Sequence, residues 1–181
     1  MWTERVMLNV FGKARKAYAL RLATLDDLPV MLDLMQVFNA DEPVGRSIGV
    51  TSEDMAVYDR LNTRRAIKNK LAVIAVHRRT NETVGLKLDK TYSRDTSKDS
   101  LHFPPGYRLP PRAQQVNEIV DQAIDVMFDM HPDIDRFFYG DSLVVNPAHR
   151  KQAGQSITLM TSDFRRHGIP PVTDFWEQYD D

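Results

Sequence analysis

Residues 149–156 read His149-Arg150-Lys151-Gln152-Ala153-Gly154-Gln155-Ser156, two full cations followed by small and amide side chains. Before them, Phe137, Phe138, Leu143, Val144 and Val145 form an apolar, β-branched run that reads as a buried strand. Asn146-Pro147 stops that run, because proline has no N–H for a ladder and holds its predecessor extended. After the turn, Ala153, Ile157, Met160 and Phe164 recur at helical spacing. A basic, small-residue turn that opens a helix suits an anion. The first N–H groups are unpaired, the dipole's positive end lies there, and Arg150 and Lys151 add charge. The competing reading is an ordinary strand-to-helix turn with solvated cations, and a single glycine does not separate the two.

Other chemistries find less support. The five histidines are scattered with no HxxH or HExxH pairing, so no metal is expected. No Gly-x-Ser-x-Gly elbow points to an acyl-enzyme. With no cysteine, disulfides and thiolate sites are excluded. Glu42, in Asp41-Glu42-Pro43, is by its context alone one carboxylate before a proline, a kind that is usually solvated or capping.

These residues depend on a series of elements to position them. Tyr18, Leu20 and Leu22 alternate as a first strand, and Thr24 to Asp27 supplies capping chemistry for a helix carrying Leu28, Met31, Leu32, Met35 and Phe38. That helix delivers Asp41-Glu42-Pro43 at its end, and Gly45 and Gly49 loosen the connection after it. Thr51 to Asp54 starts a second helix through Met55, Tyr58 and Leu61; its Arg60, Arg64, Arg65, Lys68 and Lys70 read as a solvated face. Leu71 to Val76 is a continuous apolar run, hence a strand covered on both faces, and Val84, Leu86 and Leu88 alternate as its antiparallel partner. Periodicity is lost from Ser93 to Pro111, where Leu101, Phe103, Tyr107 and Leu109 either wall a binding site or pin the loop to the core. Val116 to Phe128 is the cleanest helix in the sequence.

The length of 181 residues suits one domain with a sizeable core. Apolar residues at 42% beside 27% charged ones place the chain among globular proteins, not disordered ones. A net charge of -1 offers no global pull toward nucleic acid or membrane, so neither is expected as a partner. The expected location is the cytoplasm, which the lack of cysteine suits. The first 17 residues are expected to be an arm, 18–168 one domain and 169–181 a short tail.

Two stretches together resemble the GNAT superfamily of acetyl-CoA-dependent N-acetyltransferases, and within it the invertebrate arylalkylamine (dopamine-type) enzymes. One is the strand Leu143-Val144-Val145 leading through Asn146-Pro147-Ala148-His149 to Arg150, which is similar to the lead-in of the family's acyl-CoA motif. The other is Phe38-Asn39-Ala40-Asp41-Glu42-Pro43-Val44, similar to the Phe-x-x-Asp-Glu-Pro-hydrophobic element of the arylalkylamine enzymes. The turn departs from Arg/Gln-x-x-Gly-x-Gly/Ala by reading two residues short, and the resemblance covers roughly residues 18 to 168. The family's later strands have no counterpart in the sequence.

The resemblance implies an α/β domain with a mixed sheet and helices on both faces, the front and middle of the GNAT fold. It implies acetyl-CoA as co-substrate, with its pyrophosphate at the turn formed by Arg150, Lys151, Gln152, Ala153, Gly154, Gln155 and Ser156. The pantetheine arm would add like a strand along Leu143, Val144 and Val145. Glu42 matches the family's general base, and the partner is a small amine such as dopamine, tyramine or serotonin. The alternative is a shortened, catalytically impaired form that serves as an interaction module. The Phe138–Val145 strand is expected to be central and buried, with Val172, Phe175, Trp176 and Tyr179 of the tail, or a second copy of the chain, covering its open side.

Overall fold

A computed structural model describes residues 17–95 and 103–150. Four strands, β1 (Tyr18–Leu22), β2 (Ala72–His77), β3 (Glu82–Ser93) and β4 (Arg136–Val145), form one sheet in the order β1-β2-β3-β4. Every pair among the described strands is antiparallel. The helices are α1 (Leu28–Asp41), α2 (Pro43–Ile48), α3 (Ser52–Lys68), α4 (Pro111–Met130) and the single turn α5 (Pro147–Arg150).

The period-two pattern builds the main core. Ala72, Ile74 and Val76 of β2, Leu86 and Leu88 of β3, and Val144 of β4 gather on one face of the sheet. Met31, Leu34 and Met35 of α1 and Ala66 and Ile67 of α3 close over them. A second cluster forms where Ile124 and Phe128 of α4 meet Phe137, with Tyr92 and Tyr139 beside them. Helix starts obey the sequence signals. Thr51 Oγ1 accepts from Asp54 N at 3.1 Å and Asp54 Oδ2 accepts from Thr51 N at 2.9 Å, a reciprocal box that begins α3. Upstream, Asp27 accepts from Thr24 N and receives a two-pronged Arg21 guanidinium at 2.7 Å per bond, tying β1 to the start of α1.

Three sequence expectations need correction. The connection after Glu42 is a short helix, α2, and not a loose segment; Gly49 ends it at φ 75°, a left-handed conformation that favours glycine. Strand β3 runs past Asp89 to Ser93, four residues beyond the alternating stretch that marked it. Strand β4 lies at one edge of the described sheet instead of its middle, and it is not uniformly buried: Phe137, Ser142 and Val144 face inward while Leu143 is 45% exposed. Its apolar composition concealed an alternation. The tail expected to cover this edge lies outside the described residues, as does the N-terminal arm through residue 16.

Candidate active site

Glu42 stands between α1 and α2. Its backbone N–H still closes the last turn of α1 on Phe38 O at 2.9 Å, while its extended ψ of 121° redirects the chain. Its carboxylate caps α2, accepting from Val44 N at 3.0 Å and, more closely, from Gly45 N. Gly45 allows this approach, because a Cβ there would lie 3.1 Å from Glu42 Oε2. The capping role that local context suggested is therefore real, and Glu42 also lines a cavity of about 240 Å³.

That cavity lies between the helices and β4. Its apolar wall includes Met35, Phe38, Met55, Val116, Ile119 and Val120, and its polar residues are Asn39, Glu42, Tyr58, Asp59, Asn117, Tyr139, Asp141 and Ser142. Asn39 and Asp59 are 7% and 5% exposed, and the Asn39 amide donates to Asp59 Oδ2 at 2.7 Å, bridging α1 and α3. Burial pushes the Asp59 carboxyl up to about 6, with the Asn39 hydrogen bond opposing the shift and the Asp141 charge adding to it. Burial likewise raises the Tyr58 and Tyr139 hydroxyls.

Beside Asp59 runs a paired network. Lys90 Nζ contacts Asp141 Oδ1 at 2.5 Å and donates to the Tyr58 hydroxyl at 2.6 Å, and Asn62 donates to Asp141 Oδ2 at 2.8 Å. Burial works against the charge on Lys90, but Asp141, Tyr58 and Tyr92 outweigh it and the ammonium is held more firmly than in water. Asp141 is placed by a bulge: Leu88 pairs with Ser142 and Asp89 with Gly140, so Asp141 is the extra residue between them. Beyond this network lies a larger cavity of about 520 Å³, lined by Lys90, Tyr92, Phe103, Asn117, Asp121 and Asp125 among others. Phe103 lines this cavity and stacks on Tyr107 with ring centroids 5.6 Å apart; Leu101 lies outside the described residues.

Of the residues expected in the anion turn, only Arg150 is described; Lys151, Gln152, Ala153, Gly154, Gln155 and Ser156 lie outside the described residues. Ala148 N donates to Asn146 Oδ1 at 3.0 Å and His149 N to Asn146 O at 2.8 Å, so Asn146 folds the chain off the strand. Arg150 donates through Nε to Val145 O at 2.9 Å and through Nη2 to Asp41 Oδ2 at 2.6 Å. The first contact fixes the orientation of β4's end. Asn146 N, not Val145 N, reaches back to β3, at Val84 O. In an antiparallel ladder such pairs alternate, so the N–H and C=O of Val145, and of Leu143 two residues before it, point away from β3 to the edge of the described sheet. The second contact brings the end of α1, and Glu42 with it, beside that edge.

Sequence reasoning singled out Glu42 and the β4–α5 junction, and the fold brings them together. It missed Tyr58, Asp59, Asn62, Lys90 and Asp141. A signal existed for two of them: Lys90 continues the Leu86, Leu88 face of β3, and Gly140-Asp141-Ser142 interrupts an apolar strand. Among the described residues no group of His, Asp and Glu is arranged to hold a metal, and no helix is long and apolar enough to cross a membrane.

No protein-family model and no curated protein sequence matches the chain. Solved structures do. A putative arylalkylamine N-acetyltransferase 7 from the yellow fever mosquito Aedes aegypti is similar at TM-score 0.54 and 16% identity, over 74% of this chain and 55% of that one. Arylalkylamine N-acetyltransferase 2 from Aedes aegypti gives 0.55 and 16%, over 74% and 62%. An agmatine N-acetyltransferase without ligand gives 0.58 and 11%, over 84% and 72%. The chain thus has the fold of the GNAT N-acetyltransferases. Arylalkylamine N-acetyltransferases are among the structures it is similar to, and it spans a little over half the length of the first of them.

Proposed function

We propose that this chain is an acetyl-CoA-dependent N-acetyltransferase acting on a small arylalkylamine such as dopamine, tyramine or serotonin. The observation that carries the reading is the position of Glu42, on an apolar-walled cavity next to β4, the edge strand among the described residues. Acetyl-CoA suits that edge: Leu143 is exposed, the backbone groups of Leu143 and Val145 point outward, and Arg150 sits at the end of the strand. Arg150, with Lys151 to Ser156, would take the pyrophosphate, and the strand edge of Leu143, Val144 and Val145 the extended arm.

Bound acetyl-CoA supplies an activated acyl group. The chain's own residues supply the rest. The amine is bound with its apolar body against Phe38, Met55 and Val120. An alkylammonium with a pKa near 10 must lose a proton before its nitrogen can bond to the acetyl carbon, and Glu42 accepts that proton directly or through water. As the new N–C bond forms and the C–S bond breaks, the Val145 N–H faces the negative charge developing on the acetyl oxygen.

With full-length protein, release of CoA thiol in the presence of acetyl-CoA and tyramine is the expected readout, and Glu42→Gln should lower it by about 10²–10⁴-fold. Undiminished activity in Glu42→Gln returns this residue to capping alone. CoA binding without any acetyl transfer would instead favour the interaction-module reading.

A further inference from the structure

We propose that Asp59 is the amine-binding carboxylate of the cavity beneath Glu42, accepting an N–H from the primary ammonium of a ligand whose apolar body lies against the cavity wall. This deepens the function proposed above and rests on it for the chemistry after binding, though not for the binding itself.

Of the cavity's three carboxylates, Glu42 and Asp59 are committed differently. Both oxygens of Glu42 already accept backbone N–H groups of α2. Asp59 is 5% exposed, lines the same cavity, and uses only Oδ2, for the Asn39 amide. Its other oxygen accepts no hydrogen bond among the described residues. Thr63 Oγ1 is the one fully buried side-chain polar atom without a partner among the described residues, so this Asp59 oxygen keeps contact with solvent, and a ligand N–H can take the place of that water. Asn39 fixes the carboxylate in place from α1, so its open lone pairs are held in one direction.

The neighbouring charges leave this role to Asp59. Asp141 is satisfied by Lys90 and Asn62 and has little left to offer a cation. Lys90, in turn, is held by Asp141 and Tyr58, so it does not neutralise Asp59 by contact. The other ionisable groups of the cavity wall are Glu42 and the hydroxyls of Tyr58 and Tyr139. A monocation with a hydrophobic body therefore complements the site, whereas an anion would meet Asp59 and Glu42 together. Since burial raises Asp59 to about 6, an arriving ammonium displaces its proton in that range and makes uptake a proton-releasing step near pH 6.

The test is calorimetric titration of the full chain with tyramine and with its neutral analogue, in which a hydroxyl replaces the amine. At pH 7.5, Asp59→Asn should weaken tyramine at least tenfold and leave the neutral analogue within twofold. Near pH 6, titrations of the unaltered chain in buffers of different ionisation enthalpy should show a fraction of a proton released, falling to none at pH 8. This second measurement needs no variant and stands if Asp59→Asn folds poorly. Equal tyramine affinity in a folded Asp59→Asn protein, equal losses for both ligands, or no proton release near pH 6 overturns the assignment. Asp59-dependent tyramine binding without acetyl transfer supports it while sinking the enzyme reading alone.

Discussion

Two buried polar pairs lie side by side in this domain and have opposite characters. Lys90 and Asp141 are each 13% exposed at the side chain, and they satisfy one another with help from Tyr58 and Asn62. Asn39 and Asp59 are equally buried, but the pair carries one unbalanced charge and leaves one oxygen open. The first arrangement is complete without a ligand and serves the fold. The second is electrostatically unfinished, which raises the Asp59 carboxyl and leaves it ready for a cation. In neighbouring positions of one domain, completeness marks a structural group and incompleteness a binding one.

The contrast breaks most visibly at the paired site. Asp141→Ala leaves Lys90 buried and uncompensated, and denaturant unfolding should show a loss of about 3–5 kcal/mol. Replacing both partners, as Lys90→Met with Asp141→Leu, should recover most of it; a single-variant loss below about 1 kcal/mol would remove the structural role.

At the unfinished site the sign reverses. Because the folded carboxyl of Asp59 sits at about 6 against an ordinary 3.8, the fold favours the protonated form. Its contribution to stability therefore declines as pH rises from about 4 to 6, by about 3 kcal/mol for a shift of roughly two units. Subtracting the unfolding curve of Asp59→Asn from that of the unaltered chain should isolate this slope, with the variant the more stable of the two at pH 7.5. A flat difference across that window contradicts it. Asp27 behaves oppositely: the Arg21 pair lowers it from 3.8 to about 2, so its stabilisation holds at neutral pH and fades as pH falls from about 4 to about 2.

Smaller effects separate Glu42 from both pairs. Gly45→Ala sets a methyl 3.1 Å from Glu42 Oε2, and weakening that cap should cost about 1 kcal/mol, read as a lowered Tm. No change in Tm would mean that the carboxylate moves aside without loss. Smallest in stability is Arg150→Ala, since its pair with Asp41 is 44% and 55% exposed and such pairs contribute about 0–1 kcal/mol. Its consequence should fall on CoA, whose affinity should drop in a salt-dependent way when Arg150→Ala is combined with Lys151→Ala. Unchanged CoA affinity in that double variant would take the anion role away from the turn.

What the sequence determined by itself was the local grammar. Alternation identified β1 and most of β3, and a continuous apolar run β2; Thr51 with Asp54 and the Leu28–Phe38 stripe located α3 and α1. These are signals carried within a few residues, where spacing and capping chemistry act directly. Glu42 and the Val145–Arg150 junction were legible for the same reason, as short motifs. Only the tertiary structure decided that they meet, through an Arg150–Asp41 contact spanning 109 positions. It also decided that Asp141 reaches Lys90, through a bulge set by strand register, and that Asn39 leaves one oxygen of Asp59 open. A carboxylate's environment depends on what packs around it from distant parts of the chain. Burial and partnership, which separate Asp59 from Asp141, are therefore not written next to either residue.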